Sequence, residues 1–469
     1  VTTLVWFRQD LRLADNPALH AAVKRGEPTI PIYIWAPEGE GDWPPGAASR
    51  WWLHQSLRAL DESLQKRGSK LLLLKGRSIP TLLDLAKQTG ATALYWNRRY
   101  EPAAIACEAQ VQNACASNGI GTASFNSALL VEPNDILNLS GKPYLVYTPY
   151  LRRLRGDLDP PRATPAPAKL VSPKRWPRSA SLDSLCLLPR IRWYAQMEQA
   201  WRPGEAGAHA RLERFLKHGL ADYHQARDRP AIQGTSNLSP HLHFGEIGPR
   251  QIWHALGAKG RASIFLNEVI WREFAYHLLF HFPHTITQPL RPEFASFPWQ
   301  KHPEHLRAWQ RGRTGVPMVD AGMREVWSTG VMHNRVRMIA GSFLVKNLLQ
   351  PWQDGSRWFW DTLVDADLAN NTLNWQWVAG SGADASPYFR IFNPVTQGER
   401  YDAEGDYVRR WVPEIAHVSN QFIHGPWRAS KRNPHPAPEP IVDLGVSREA
   451  ALDAYADMRR RSASSPRGE

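Results

Sequence analysis

Two hydrophobic rhythms divide the chain. Through the first 130 residues, short apolar or β-branched runs alternate with stretches of helical period. The runs are TTLVWF (2–7), TIPIYIW (29–35), KLLLLK (70–75) and TALYWN (92–97), and helical stretches lie at 50–66 and 80–88. Runs apolar at nearly every position predict strands buried on both faces, and their alternation with helices predicts a covered, Rossmann-like parallel sheet. Residues 1–130 are therefore assigned to an α/β domain. Between Asp159 and Pro177 the sequence DPPRATPAPAKLVSPKRWP excludes a helix or a central strand, and residues 131–205 are assigned as a connector. Beyond Gly207 the period is helical in ARLERFLKHGL, FGEIGPRQIWHAL, FLNEVIWREFAYHLLFHF and MHNRVRMIAGSFLVKNLL, which predicts an all-α domain over 206–445. A tail, 446–469, is helical first and polar at its end. No internal repeat is visible.

The 469 residues exceed one ordinary core and can enclose a large cofactor. With 57 Lys+Arg against 44 Asp+Glu, the net charge of +13 favours a polyanionic partner such as nucleic acid, or serves solubility alone. Three cysteines without CxxC spacing suggest neither a zinc site nor a disulfide framework, and no metal is expected. No apolar run reaches the roughly 18 residues of a spanning helix, so a cytoplasmic protein with no membrane partner is expected. The count of 21 Trp is unusual, because each needs a use for its flat face or its N–H.

Four short stretches carry candidate chemistry. GTSNLSP (234–240) offers three hydroxyls and a Gly-led run of backbone N–H groups between two helical patterns, which suits a phosphate or a plain N-cap. No GxGxxG follows the first strand, so the usual dinucleotide fingerprint is absent. In NEVIWREF (267–274), Glu268, Trp271 and Arg272 share one helix face. Glu268 beside an indole in an apolar setting is expected to hold its proton; alternatively it is a surface acid paired with Arg272. MHNRVRM (332–338) sets Asn334 and Met338 on one face beside arginines that a core tolerates only with charged partners. DADLANNTLNWQWV (365–378) mixes acids, amides and two indoles so densely that it is expected to line a site.

In this order, WFRQDLRLADNPAL, GKPYLVYTPYLRRL, YHQARDRP with GTSNLSPHLHFG, NEVIWREF, MVDAGMREVWSTGVMHNRVRMI, DADLANNTLNWQW and PYFRIFNPVTQGERYD resemble the cryptochrome/photolyase family, from about Val1 to Pro440. The resemblance implies an α/β antenna domain and a helical domain holding FAD folded in a U. It implies FAD phosphate contacts at Tyr223, Thr235, Ser236 and Ser239. Asp365 and Asp367 resemble acids near the flavin and its ribityl or adenine side, with Arg337 the ion partner of Asp365. Asn371 matches the position facing flavin N5, where plant cryptochromes carry an acid. Trp375 matches the first indole of an electron-hopping chain continued by Trp352 and Trp299. Trp377 matches a wall of the substrate pocket opposite Trp271. For each indole, core packing is the alternative.

The resemblance also implies a substrate. Glu268 would donate a proton or hydrogen bond to a pyrimidine carbonyl, Asn334 would meet the base edges, and Met338 the cyclobutane. Arg227, Arg335, Gln397 and Arg400 resemble phosphate or pocket-rim contacts. Relatives acting on (6-4) photoproducts place histidines where this chain has Asn334 and Met338. The expected activity is therefore that of a monomeric carbon–carbon lyase: light-driven repair of cyclobutane pyrimidine dimers in UV-damaged DNA, with reduced FAD as electron donor. Two other readings are a blue-light sensor without repair, for which an acid at 371 or a long C-terminal extension is expected, and a flavin-free DNA-binding protein on the same scaffold. A methenyltetrahydrofolate antenna is expected too. HTITQPLRP lacks the Cys-Lys pair by which some relatives hold folate, whereas WWLHQSL and WVAGSGADASPYF resemble the class III branch, which makes Trp35 and Trp43 the candidates for a folate sandwich.

Overall fold

The structure, a computed structural model, describes residues 2–261, 264–385, 389–429 and 438–464. Pro387 and Tyr388 of PYFRIFNP and the last five residues of the polar tail lie outside the described residues.

The four apolar runs form strands β1 (Thr2–Phe7), β2 (Thr29–Trp35), β3 (Leu72–Lys75) and β4 (Ala91–Asn97). A fifth, β5 (Gly121–Phe125), completes a parallel sheet of order β3-β2-β1-β4-β5. Its sequence GTASF has no apolar run and is only half-covered, which is tolerable at an edge; hence four strands were legible where the described residues form five. Pro31 fits inside β2 because β3 has not yet begun there: the β2–β3 register starts with Ile32 opposite Leu72.

Period-two alternation distributes β1 between two cores. Val5 and Phe7 pack against α1 (Pro17–Lys24) and α2 (Ala47–Gln65). Leu4 and Trp6 pack against α3 (Ser78–Thr89) and α4 (Pro102–Ser117). From Glu205 onward helices dominate, among them Ile264–His281, Pro317–Thr329, Asn334–Ser342, Trp352–Thr362 and Leu368–Ala379.

One expected helix is interrupted. FGEIG is a turn, and the helix starts only at Pro249. Gly245 has φ +63° there, and a Cβ on it would lie 2.1 Å from the Gln9 carbonyl oxygen. The turn is where the sheet half meets the helical half. Buried Arg12 donates to the carbonyls of Gly245 (2.9 Å) and Ser127 (2.9 Å). Beside it, Glu246 accepts from the Trp52 indole (3.1 Å) and Gly204 N–H (2.7 Å), and pairs with Ser56 and His241. A fully buried carboxylate with this many partners is a lock rather than a liability.

Gly245→Ala should therefore lower stability by on the order of 2 kcal/mol or more, through positive φ and backbone overlap together. The midpoint of urea unfolding, compared with the parent protein, checks it.

Candidate functional site

The Leu368–Ala379 helix begins where Asp367 caps it, accepting the Asn370 backbone N–H at 2.9 Å and the Asn370 side-chain amide at 2.8 Å. The Tyr276 hydroxyl donates to the same carboxylate, and His243 Nδ1 stands 3.6 Å away, beyond hydrogen-bond length. Burial would push this carboxyl up. The His243 ring, the Arg272 guanidinium and the Tyr276 hydroxyl outweigh it and hold the group well below the usual carboxylate range.

Two residues earlier, Asp365 meets Arg337 Nη2 at 3.0 and 2.9 Å and accepts the Ser239 hydroxyl at 2.6 Å. Ser239 opens a helix of only five residues, Ser239–His243. Its hydroxyl donates to that carboxylate, as the Thr235 hydroxyl donates to the Asn237 side-chain oxygen at 3.2 Å.

Successive residues on a helix turn by about 100°, so Trp375 and Trp377 point to roughly opposite sides. Trp375 is buried against Phe359 (ring centroids 5.1 Å apart) and Trp309 (6.2 Å). Gly355 permits this contact, since a Cβ there would lie 2.2 Å from the Trp375 ring. Trp352 and Trp299 belong to the same apolar cluster, Trp352 buried and Trp299 half-buried beside Phe297 at 4.4 Å. Trp377 is half-buried, with the Arg390 guanidinium 5.6 Å from its ring centroid. On the Ile264–His281 helix, Trp271 stacks on Tyr147 at 3.6 Å and 10°. Asn371 donates to the Ser356 hydroxyl at 2.8 Å.

Glu268 is not in the apolar setting expected for it, nor paired with Arg272. It meets Arg227 at 2.6 Å, while Arg272 turns away to the Ala128 carbonyl at 2.7 Å. The spacing along the helix was right, but the partner comes from a distant segment. Arg335 likewise finds Asp228 at 2.7 Å, with its guanidinium 4.3 Å from the Tyr401 ring centroid.

These segments enclose one cavity of about 960 Å³. Every residue assigned above to cofactor and lesion lines it, together with Trp375 and Arg227. Trp352, Trp299, Arg335, Gln397 and Arg400 lie outside its lining; Arg400 is exposed on the Pro394–Tyr401 helix. Sequence reasoning missed Arg211, Gln233, His243, Glu325, His333 and Asn370, which also line it. Asn370, His333, Glu325 and His243 sat in stretches already singled out but were not themselves picked from them; Arg211 and Gln233 read as ordinary positions of a helix and a loop.

The walls fit FAD. Thr235, Ser236 and arginines offer donors to a diphosphate, the two carboxylates offer acceptors to hydroxyls or an amine, and Asn371 and the indoles offer an amide and flat faces to a ring system. Two buried ring nitrogens on this wall, His243 Nδ1 and His333 Nε2, have no hydrogen-bond partner among the described residues.

A second, much narrower cavity of about 90 Å³ opens beyond the C-terminal ends of β1 and β2. That is where ligands of open α/β sheets bind. Trp35 and Trp43 both line it, with Trp6, Trp360, Glu40 and Arg99. Arg99 pairs with Glu40 at 2.6 Å and with Glu101 at 3.2 Å.

Residues 3–169 match the family model described as DNA photolyase, and residues 265–457 match that of the FAD binding domain of DNA photolyase. A deoxyribodipyrimidine photo-lyase of Agrobacterium fabrum is 48% identical, the alignment covering 97% of this chain and 98% of that protein. The chain belongs to the cryptochrome/photolyase family. Among solved structures of the family, a bacterial class III photolyase from Agrobacterium tumefaciens superposes with a TM-score of 0.94 at 47% identity, covering 98% of each chain. Cryptochrome-2 of Arabidopsis thaliana is 38% identical over 97% of this chain and 79% of its own length. As in the family, the photolyase-type FAD-binding domain is the helical half, and the parallel sheet is the N-terminal half.

In this photolyase-family protein the Asp365–Arg337 pair should be needed for cofactor retention. Asp365→Asn leaves Arg337 without its counter-charge, a loss on the order of 3 kcal/mol. The purified variant should keep a small fraction of the parent's bound FAD, read from absorbance after gel filtration.

Proposed function

We propose that the protein is a DNA photolyase that repairs cyclobutane pyrimidine dimers, acting as a monomer in the cytoplasm. The observation that carries this reading is that one cavity has on its walls both the residues suited to FAD and the residues suited to the lesion. When bound and reduced, FAD supplies an electron to the dimer on blue-light excitation and takes it back once the ring has opened, so no net redox change results.

The protein's own residues do the rest. A dimer cannot be reached within a duplex and must be flipped out, which costs less for a badly stacked pair. Trp271, stiffened by its stack on Tyr147, and Trp377 offer two apolar walls to the flipped bases. Asn334 presents an amide to the base edges and Met338 an adaptable thioether to the cyclobutane. In its protonated form Glu268 donates a hydrogen bond to a pyrimidine carbonyl, in place of the ion pair it makes with Arg227 in the free protein. Asn371 stands at the N5 position, where an amide neither gives nor takes a proton readily. Trp375, Trp352 and Trp299 lead from the cavity wall outward as a hopping path that would restore the reduced state in light.

Arg227, Arg335, Gln397 and Arg400 hold the DNA backbone. Two of these cations are already balanced, Arg227 by Glu268 and Arg335 by Asp228, so Arg400 gains most from a phosphate. In the second cavity, Trp35 and Trp43 suit a flat bicyclic ring such as that of methenyltetrahydrofolate, with the rest of the molecule left along the mouth. The amide at 371 favours repair over a sensor that needs an acid there.

Incubation of the reduced protein with oligonucleotides bearing either lesion, in blue light and in darkness, tests the proposal. Light-dependent loss of the cyclobutane dimer alone is expected. Repair only of the (6-4) lesion would reassign the substrate, and repair of neither would favour the sensor. Glu268→Ala should lower repair by on the order of tenfold without loss of yellow colour. Trp375→Phe should slow photoreduction while sparing repair by chemically reduced protein; unchanged photoreduction would remove the indole from the path.

A further inference from the structure

Glu325 has no role in the reading above, yet its carboxylate is on the cavity wall. It sits on the Pro317–Thr329 helix, which packs against both the Asn334–Ser342 and Asp406–Trp411 helices. One oxygen, Oε2, accepts two hydrogen bonds: from the Tyr407 hydroxyl at 2.6 Å and from the His333 backbone N–H at 3.2 Å. His333 is the residue before the Asn334–Ser342 helix, and its own Nδ1 caps that helix by accepting the Arg335 N–H at 3.2 Å. Arg337 Nε donates back to the Met332 carbonyl at 2.7 Å. The stretch 332–337 is thus tied to itself by local bonds and to a different helix by Glu325.

A carboxyl so enclosed is expensive to keep. Burial pushes it up to about 7 despite the Tyr407 hydroxyl, the His333 N–H and the charges of Arg337 and Arg410. An apolar residue would pack the same helices without that cost, so the oxygen is useful for what it holds. What it holds is the first turn of the helix that presents Asn334, Arg337 and Met338.

We propose that Glu325, clamped by Tyr407, is a positioning residue that sets where the Asn334–Ser342 helix begins and so aligns Asn334 and Met338 with the flipped lesion. The inference rests on the reading of the cavity as a lesion site. It predicts that affinity for the lesion depends on an oxygen acceptor at position 325 and not on its charge.

The test compares Glu325→Ala, Glu325→Gln and Tyr407→Phe in the full-length, FAD-loaded protein. Dark binding of an oligonucleotide with one cyclobutane thymine dimer is measured by fluorescence anisotropy, and repair per absorbed photon at saturating oligonucleotide. Glu325→Ala should weaken binding about tenfold, as loss of a buried acceptor does, with repair by the saturated complex changed less than about twofold. Glu325→Gln, which keeps an oxygen, should restore affinity to within about twofold, and Tyr407→Phe should weaken it. Unchanged affinity in the alanine variant, or failure of glutamine to restore it, overturns the proposal. Should the alanine variant not hold FAD, parent-like lesion affinity in Tyr407→Phe overturns it and weakened affinity supports it. A parent protein that binds no lesion overturns instead the reading of the cavity, and this inference with it.

Discussion

Asp365 receives the guanidinium of Arg337 from one helix and the hydroxyl of Ser239 from the start of another, more than a hundred residues before it in the chain. The carboxylate is nearly buried, and a lone charge there would be untenable. Three segments that share no sequence neighbourhood therefore converge because each supplies part of one neutralised cluster. The cavity is the space they leave between them. Its hydroxyls, its amide and the Asn334–Ser342 helix meet around this satisfied pair.

Pairing continues around the rim. Glu268 is held by Arg227, Arg335 by Asp228, and Asp367 by the Tyr276 hydroxyl near His243. A site that must take a polyanionic cofactor, a neutral flipped pyrimidine dimer and a DNA backbone cannot have a uniform potential. Local pairs give each sub-region its own character, whereas the surplus of +13 acts over longer range on the DNA. The aromatic residues divide in the same way. Trp271 and Trp377 expose flat faces to the cavity, while Trp375 is packed into the core at a position that Gly355 keeps open.

The two halves of the molecule are joined by an apolar seam, in which Trp52 stacks on Phe244 and meets Trp201, and by buried polar contacts of Arg12 and Glu246. Directional bonds fix orientation better than greasy contact, and orientation matters here because the second, narrow cavity lies at this joint. His243 and Ala366 line both cavities. A ring held between Trp35 and Trp43 and a flavin in the larger cavity would thus be separated by a single layer of residues.

Hydrophobic period alone determined four strands of the sheet and the helical half, since strands and helices bury side chains at different repeats; the Pro-rich connector assigned to 131–205 also holds a helix, Tyr147–Asp157, that was not read from it. The order of short motifs determined the family and the residues that meet in the cavity, because those motifs are contiguous and each survives as a local unit. Other features belonged to tertiary structure. β5 has no apolar run and is a strand only because β4 offers it an edge. FGEIG matches a helical period, yet Gly245 must turn where the Gln9 backbone passes. Glu268 finds Arg227 and not Arg272, and half-buried Glu325 finds Tyr407, through contacts across 41 and 82 residues of chain. A periodic pattern reports which face of an element is covered; the charge that waits on the other side comes from a part of the chain that only folding brings near.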